Sequence, residues 1–322
     1  MDDKELFANE IKIPGAKYYT PPPSAILTGR DNKVQIPYGD LVIPLLNEDF
    51  DSLDGLEPSY DAVGRGIYYA LRFNPDIPLA SRYATLLRDA YPHIMAEIAT
   101  NFMMLDKKDV DIPYLDRKIT YLKIFALLDP ENYLFPFQIG STFFVKGLAI
   151  EALNNTTIFL YKAESYFKKA LELHPGDVQV KYQLSELSFL LGKYNVAVSI
   201  WEDVMPDLSA EVQEKVRKKI ELLKSDYFPI IPAVDYLQGA GVGVEAFEAG
   251  NYEEAIAIIL DVLAALEKFE GLPLAELNYV VGVCYYRLDI PLYAETYLKK
   301  ALKLQPDYPE ALDLLKELGI EG

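Results

Sequence analysis

A small residue that returns with the same companions constrains this chain more than any other feature. Ala163 is followed by Phe167 at +4, Ala170 at +7 and Pro175 at +12. The frame comes back as Ala294, Leu298, Ala301 and Pro306, and in part as Ala197, Trp201, Val204 and as Ala255, Ile259, Val262. Ala80, Ala84, Leu87 and Pro92 fit it too, while Leu122, Phe125 and Pro130 are a worn copy with Lys118 in the alanine's place. Spacings of four and seven put these side chains on one face of a helix. A proline that cannot continue the ladder then ends it. Ala163 and Ala197 are 34 residues apart, room for two helices and a turn but too little for a core of its own. Each copy must bury its face on a neighbour, which explains how 322 residues can exceed the roughly 100–200 of a usual domain.

A second mark precedes the first. Gly192-Lys193-Tyr194 and Gly250-Asn251-Tyr252 place a turn glycine five residues ahead of Ala197 and Ala255. Earlier still come Ile139-Gly140-x-x-Phe143, Val242-Gly243-x-x-Ala246 and Val281-Gly282-x-x-Tyr285. Small residues at Gly140, Gly243 and Gly282 and at the frame alanines permit two helices to approach closely. Phe143, Phe167, Trp201 and Tyr285 are the large partners beside them. The whole pattern resembles the tetratricopeptide repeat, a helix–turn–helix unit with Leu-Gly-x2-Tyr in its first helix and Ala-x3-Phe…Pro in its second. The resemblance spans residues 58–319, strong over 133–211 and 236–308 and weak before 133. It implies an all-α, right-handed α-solenoid of helix–turn–helix repeats.

Departures from the pattern are equally specific. Asp76-Ile77-Pro78, Asp111-Ile112-Pro113 and Asp289-Ile290-Pro291 recur where the glycine turn belongs. An acid ahead of a proline at the first helical position starts a helix well, so these read as alternative turns. About 11 extra residues between Gly140 and Ala163 suggest a longer first helix closed by Asn154-Asn155-Thr156-Thr157. From Ala197 to Ala255 is 58 residues, and the surplus holds a charged helix near 209–224 and then Asp226-Tyr-Phe-Pro229-Ile-Ile-Pro232. That link is a hinge or a plug between two solenoid halves. Residues 309–318 read as the capping helix that covers a solenoid's last open face.

Ahead of the helices lies a different texture. Residues 1–57 carry Pro14, Pro21-Pro22-Pro23, Pro37 and Pro44 and then an acidic stretch. Runs such as Val34-Gln35-Ile36 and Leu41-Val42-Ile43 suit extended strands or apolar tethers. Apolar residues (Ile11, Ile13, Tyr18, Tyr19, Ile26, Leu27) favour an irregular extension laid along the surface of the helical region over a free one. The expected organisation is therefore a leader at 1–57, degenerate helical repeats at 58–132 and repeats at 133–211. An extra helix and linker come next at 212–235, then repeats with a cap at 236–322.

Composition narrows the chemistry. Forty-nine acidic against 31 basic side chains give a net charge of −18, which argues against duplex nucleic acid and anionic membrane surfaces as partners. No apolar run reaches the length of a membrane span and the acidic first residues do not resemble a secretory signal, so a cytoplasmic protein is expected. One cysteine allows no internal disulfide, and two histidines exclude most zinc arrangements. His93 and His174 each adjoin a proline at a helix end, where a cation favours the C-terminus. Cys284 occupies an apolar position and reads as buried and inert. Gly239-Ala240-Gly241-Val242-Gly243 lacks the spacing and the preceding strand of a dinucleotide loop, and small faces for helix packing explain it better. No catalytic residues, metal or cofactor are expected.

What remains is a surface. In tetratricopeptide proteins the first helix of each repeat lines a concave groove that holds an extended peptide or a partner helix. Carried over residue by residue, this resemblance implies an inner stripe of Phe137, Ser141 and Phe144, then Tyr182, Gln183, Glu186 and Phe189, then Tyr279, Val283 and Tyr286. The Lys, Asn and Arg with which some members grip a C-terminal carboxylate are missing from these positions. An aromatic, mildly acidic groove suits an apolar and neutral or basic segment. The alternative is that these aromatics are only inter-repeat core. The expected function is a non-catalytic interaction scaffold or adaptor. Its rivals are a secretion-type chaperone for an export substrate, and a self-assembling scaffold in which the leader, around Tyr18–Leu27, fills a groove.

Overall fold

The computed structural model describes residues 12–29, 35–105, 111–224 and 231–319. Among them fifteen α-helices carry most of the chain, and sheet is confined to the first 46 residues. No described helix is long and apolar enough to cross a membrane. The chain divides into two compact units, 1–136 and 137–322.

The first unit begins with four short strands. β1 (Ala16–Tyr19) pairs antiparallel with β4 (Ile43–Leu46), setting Ala16 opposite Leu46 and Tyr19 opposite Ile43. β2 (Ile26–Thr28) pairs antiparallel with β3 (Gln35–Pro37). Five helices come after them: α1 (Asn47–Asp51), α2 (Tyr60–Phe73), α3 (Ala80–Ala90), α4 (Ile94–Leu105) and α5 (Ile112–Leu128). Ser59 caps α2 by accepting from the Ala62 amide, and Asp111 caps α5 by accepting from Tyr114 at 2.6 Å.

The sequence suggests that the extension lies on the surface, and the structure places part of it deeper. Ile43 and Leu45 are fully buried, in one core with Val63, Ile67 and Leu71 of α2. The crossing is that close because Gly66 has no side chain: a Cβ there would stand 1.9 Å from the Pro44 carbonyl oxygen. Tyr83 of α3 completes the seam, its buried hydroxyl donating to the Val42 carbonyl at 2.7 Å. Each such side chain contributes roughly 1.5–3 kcal/mol by leaving water. The apolar Ile11 and Val34 lie outside the described residues.

The second unit is made of helix hairpins. α6 (Leu134–Leu148) runs into it, followed by a 3-10 helix (Ile150–Asn155) and α7 (Thr156–Leu173). Next come α8 (Val178–Leu190), α9 (Tyr194–Val204) and α10 (Ala210–Leu223). The last helices are α11 (Ala233–Glu248), α12 (Tyr252–Leu266), α13 (Leu274–Arg287), α14 (Pro291–Leu304) and α15 (Pro309–Glu317).

The repeated frame is the seam of each hairpin. Ala163, Ala197, Ala255 and Ala294 are completely buried, as are Phe167, Trp201, Ile259 and Leu298 four residues on. Each large residue presses on a small one of the first helix. A Cβ on Gly140 would meet Phe167 at 2.7 Å, one on Gly243 would meet Ile259 at 2.6 Å, and one on Gly282 would meet Leu298 at 2.9 Å. In α8 the matching position is Ser185, fully buried, with its hydroxyl turned back to donate to the Tyr182 carbonyl. These hairpins share the one packing that the repeated frame implies, and the fold is all-α apart from the short strands.

The turns explain the departures. Gly192 and Gly250 have φ of 74° and 81°, the left-handed region open to glycine. Asp289 takes φ of 58° at the same point of the α13–α14 hairpin, with Pro291 opening α14, so an aspartate does the glycine's task there. The extra residues before Ala163 do not lengthen the first helix. They form the 3-10 helix, and α7 starts seven residues ahead of Ala163 where α9, α12 and α14 start three ahead of their alanines. This insertion supports α11: Gly241 lies where a Cβ would be 2.2 Å from the Asn154 amide nitrogen, and Asn154 Nδ2 donates to Glu245 at 2.7 Å. Gly241 and Gly243 are thus packing glycines inside a helix. The charged helix forms as α10, capped by Ser209. Most of the two-proline link (225–230) lies outside the described residues. α15 buries Ala311 and Leu315 against Leu298.

Candidate functional site

Each of the three residue sets expected to line a groove sits on the first helix of a hairpin. Phe137, Ser141 and Phe144 are on α6; Tyr182, Gln183, Glu186 and Phe189 on α8; Tyr279, Val283 and Tyr286 on α13. Eight of them are half-buried, whereas Phe189 and Val283 are buried.

The α6 set is held within its own hairpin. The Phe137 and Phe167 rings tilt together with centroids 6.0 Å apart, and the Ser141 hydroxyl donates to the Phe137 carbonyl. Nearby, Lys146 is buried with its ammonium 4.6 Å from the centre of the Phe159 ring, a cation–π contact sheltered from water.

Residues of the α8 set converge. Glu186 accepts from the Trp201 indole nitrogen at 3.1 Å and from the Lys219 ammonium. Burial, with Glu186 beside it, pushes the Tyr182 hydroxyl up to about 12, so it stays protonated at neutral pH. Phe189 packs on Tyr194, on Trp201 and on Phe269, with ring centroids 5.9, 5.5 and 5.5 Å apart. Lys219 also lies over the Phe189 ring at 5.8 Å. Its side chain comes from α10, so the surplus helix folds a cation across the middle of the stripe. Val216 is the fully buried residue of α10, with Val212, Ile220, Leu222 and Leu223 half-buried beside it.

On α13 the set is engaged by α15 and the residue that precedes it. The Tyr279 and Tyr308 rings meet at 5.0 Å, and the Tyr286 hydroxyl donates to Glu317 of α15 at 2.6 Å. Val283 is buried. Behind it Cys284 is fully buried, and burial raises its thiol to about 12, far from the range of a nucleophile. His174 ends α7, in keeping with its helix-terminal position in the sequence. Among the described residues no group of three or more His, Cys, Asp or Glu could hold a metal ion.

Sequence spacing puts the three sets on the first helices of hairpins and does not reveal what lies against them. Lys219 and Phe269 are silent in the sequence because each contacts α8 across a long stretch of chain. The only signal for Lys219 is the run Arg217-Lys218-Lys219 in a strongly acidic protein.

No protein-family model and no curated protein matches the chain. Solved structures similar to it include the P58(IPK) TPR domain, 16% identical over 80% of this chain and 65% of that one, with a TM-score of 0.33. A MamA fragment from Desulfovibrio magneticus RS-1 is 14% identical over 66% of this chain and 97% of that one, at 0.29. YrrB, described as a TPR protein with an unusual peptide-binding site, is 17% identical over 79% and 99%, at 0.23. The repeat assignment rests on this chain's own frame and on the seams that frame builds.

Proposed function

We propose that this protein is a non-catalytic interaction scaffold that binds an extended or helical segment of a partner protein along the first helices of its hairpins. The observation that carries this reading is the half-buried state of Phe137, Phe144, Tyr182, Gln183, Tyr279 and Tyr286. A core residue of a finished hairpin, such as Phe167 or Trp201, is shut away completely. These six instead stay partly open to water while the seam behind them is buried. Pre-organised aromatics of this kind give contact area at low entropic cost. The stripe's own carboxylate, Glu186, and the net charge of −18 favour a segment that is apolar and neutral or basic.

The test is selection of binding peptides from a random displayed library with the whole chain as bait. Affinities of the selected peptides are then measured for Phe144→Ala, Gln183→Ala and Tyr279→Ala. A loss of about tenfold or more for at least two of these, with unfolding midpoints unchanged, supports the groove. Selected peptides that bind all three variants as well as the parent place the interaction elsewhere.

A further inference from the structure

A cleft of about 610 Å3 opens where α13 lies between α12 and α14 and packs on both. Leu260, Leu263 and Ala264 stand three and four residues apart, which puts them on one face of α12 as a wall of the cleft. Leu274 of α13 and Leu304 of α14 complete an aliphatic lining, and Leu304 is 56% exposed. Ligand pockets commonly enclose roughly 300–1,000 Å3 and join such a lining to a few placed polar groups. The cleft has that size, and it shares no residue with the groove stripe.

Its polar groups are specific. Asn278 of α13 lines the cleft and is only 6% exposed. Its Nδ2 donates to the Leu274 carbonyl at 2.6 Å, while among the described residues nothing donates to its Oδ1. A buried amide oxygen without a donor costs free energy until something supplies one. On the α14 side stand Lys300 and Lys303, both exposed and neither paired with a carboxylate among the described residues. The Lys300 ammonium is held 4.2 Å from the centre of the Tyr297 ring, and Tyr285 stacks on that ring at 5.6 Å. Glu267, just past the end of α12, is the acid of the lining. Two cations against it leave a surplus of one positive charge, in a chain whose net charge is −18.

Each feature selects part of a ligand. The leucine walls take an alkyl chain, and the Tyr297 ring is already engaged by Tyr285 and Lys300, so nothing in the cleft favours a planar group. A surplus of one positive charge matches a carboxylate better than a doubly charged phosphate. The Asn278 oxygen calls for a donor, which an ionised carboxylate cannot be and a hydroxyl can. We propose that this cleft binds a hydroxylated aliphatic carboxylate. Its chain lies on Leu260, Leu263 and Leu274, its carboxylate pairs with Lys300 and Lys303, and its hydroxyl donates to Asn278 Oδ1. The site goes beyond the groove reading and does not rest on it.

The probe is 3-hydroxydodecanoate, titrated into the full chain below its micelle concentration and followed by calorimetry. One molecule per chain is expected, with an affinity that falls as salt is added. Dodecanoate, which lacks the hydroxyl, should bind about threefold or more weaker, and 1,3-dodecanediol, which lacks the carboxylate, about tenfold or more. Loss of the chain in 3-hydroxybutyrate should leave no measurable binding. Asn278→Leu should erase the preference for the hydroxylated chain over dodecanoate, a readout that a merely structural role would not move. Ala264 is exposed, so Ala264→Trp should fill the cleft and abolish binding while a thermal melt shows the fold intact. Tyr279→Ala, which reads the groove, should leave this affinity in place, so the two sites succeed or fail separately. The proposal is overturned by absent binding at low salt, by equal binding of the acid and the diol, or by undiminished binding to folded A264W. Uptake of several molecules per chain, the mark of unselective detergent-like binding, also overturns it. So does a change in the chain's mass in solution on A264W, which would make a second copy the occupant.

Discussion

The ring of Phe167 closes on Gly140, with Cδ1 and Cε1 at 2.7 and 2.8 Å from where a Cβ on the glycine would be. Phe167 is fully buried and cannot swing into solvent. Gly140→Ala is therefore expected to destabilise the second unit by about 1–3 kcal/mol through overpacking. Gly176→Ala, with nothing within 4 Å and no positive φ, should be close to neutral. Trp201 is the only tryptophan and is buried in the same unit, so its fluorescence in a urea titration reads both variants.

In the first unit the seam between β4 and α2 should prove equally intolerant. Gly66→Ala sets a methyl against the Pro44 backbone, which cannot yield as a side-chain tip can. Tyr83→Phe removes a buried donor and leaves the Val42 carbonyl unpaired, a loss of about 1–3 kcal/mol. Faster hydrogen exchange in β1 and β4 for both, and greater for Gly66→Ala, is the expected result.

Glu164 supplies a pH dependence. Burial alone would raise its pKa, but hydrogen bonds from Lys193, at 2.7 and 2.8 Å, and from Lys168 outweigh that and lower it below the ordinary 4.5. A carboxyl depressed in the folded state contributes stability above its unfolded value, and that contribution is lost as pH falls through the folded one. Glu164→Gln should therefore flatten the acid limb of stability below about pH 4.5, read from melting temperatures across that range. An unchanged acid limb would remove Glu164 from the account.

Cys284 is expected to ignore thiol reagents until its hairpin opens. With the thiol raised to about 12, roughly one in ten thousand is ionised at about pH 8, and the sulfur is also inaccessible. Labelling by a chromogenic disulfide should be slow in buffer and immediate in denaturant. Rapid native labelling would mean that α13 and α14 separate readily.

The hairpins are legible in the sequence because a small residue facing a large one leaves a periodic trace, and Gly140, Gly243 and Gly282 mark that trace in the first helices. Asp289 is legible as a turn because Asp-Ile-Pro recurs where the glycine turn belongs. The burial of Ile43 and Leu45 is not, since it depends on Gly66 some twenty residues later in the chain. The stripe can be assigned to helices from spacing alone. Its coverage cannot, because Lys219 reaches Glu186 across 33 residues and Phe269 reaches Phe189 across a longer interval.

The stitch between Asn154 and Glu245 joins positions 91 residues apart. Repeats that touch only their sequential neighbours can melt and reform one pair at a time. Here α11 rests on an insertion between α6 and α7, so the late hairpins complete their packing only once the early ones exist. The second unit should accordingly unfold as one cooperative transition, and refold more slowly than a chain of purely local contacts.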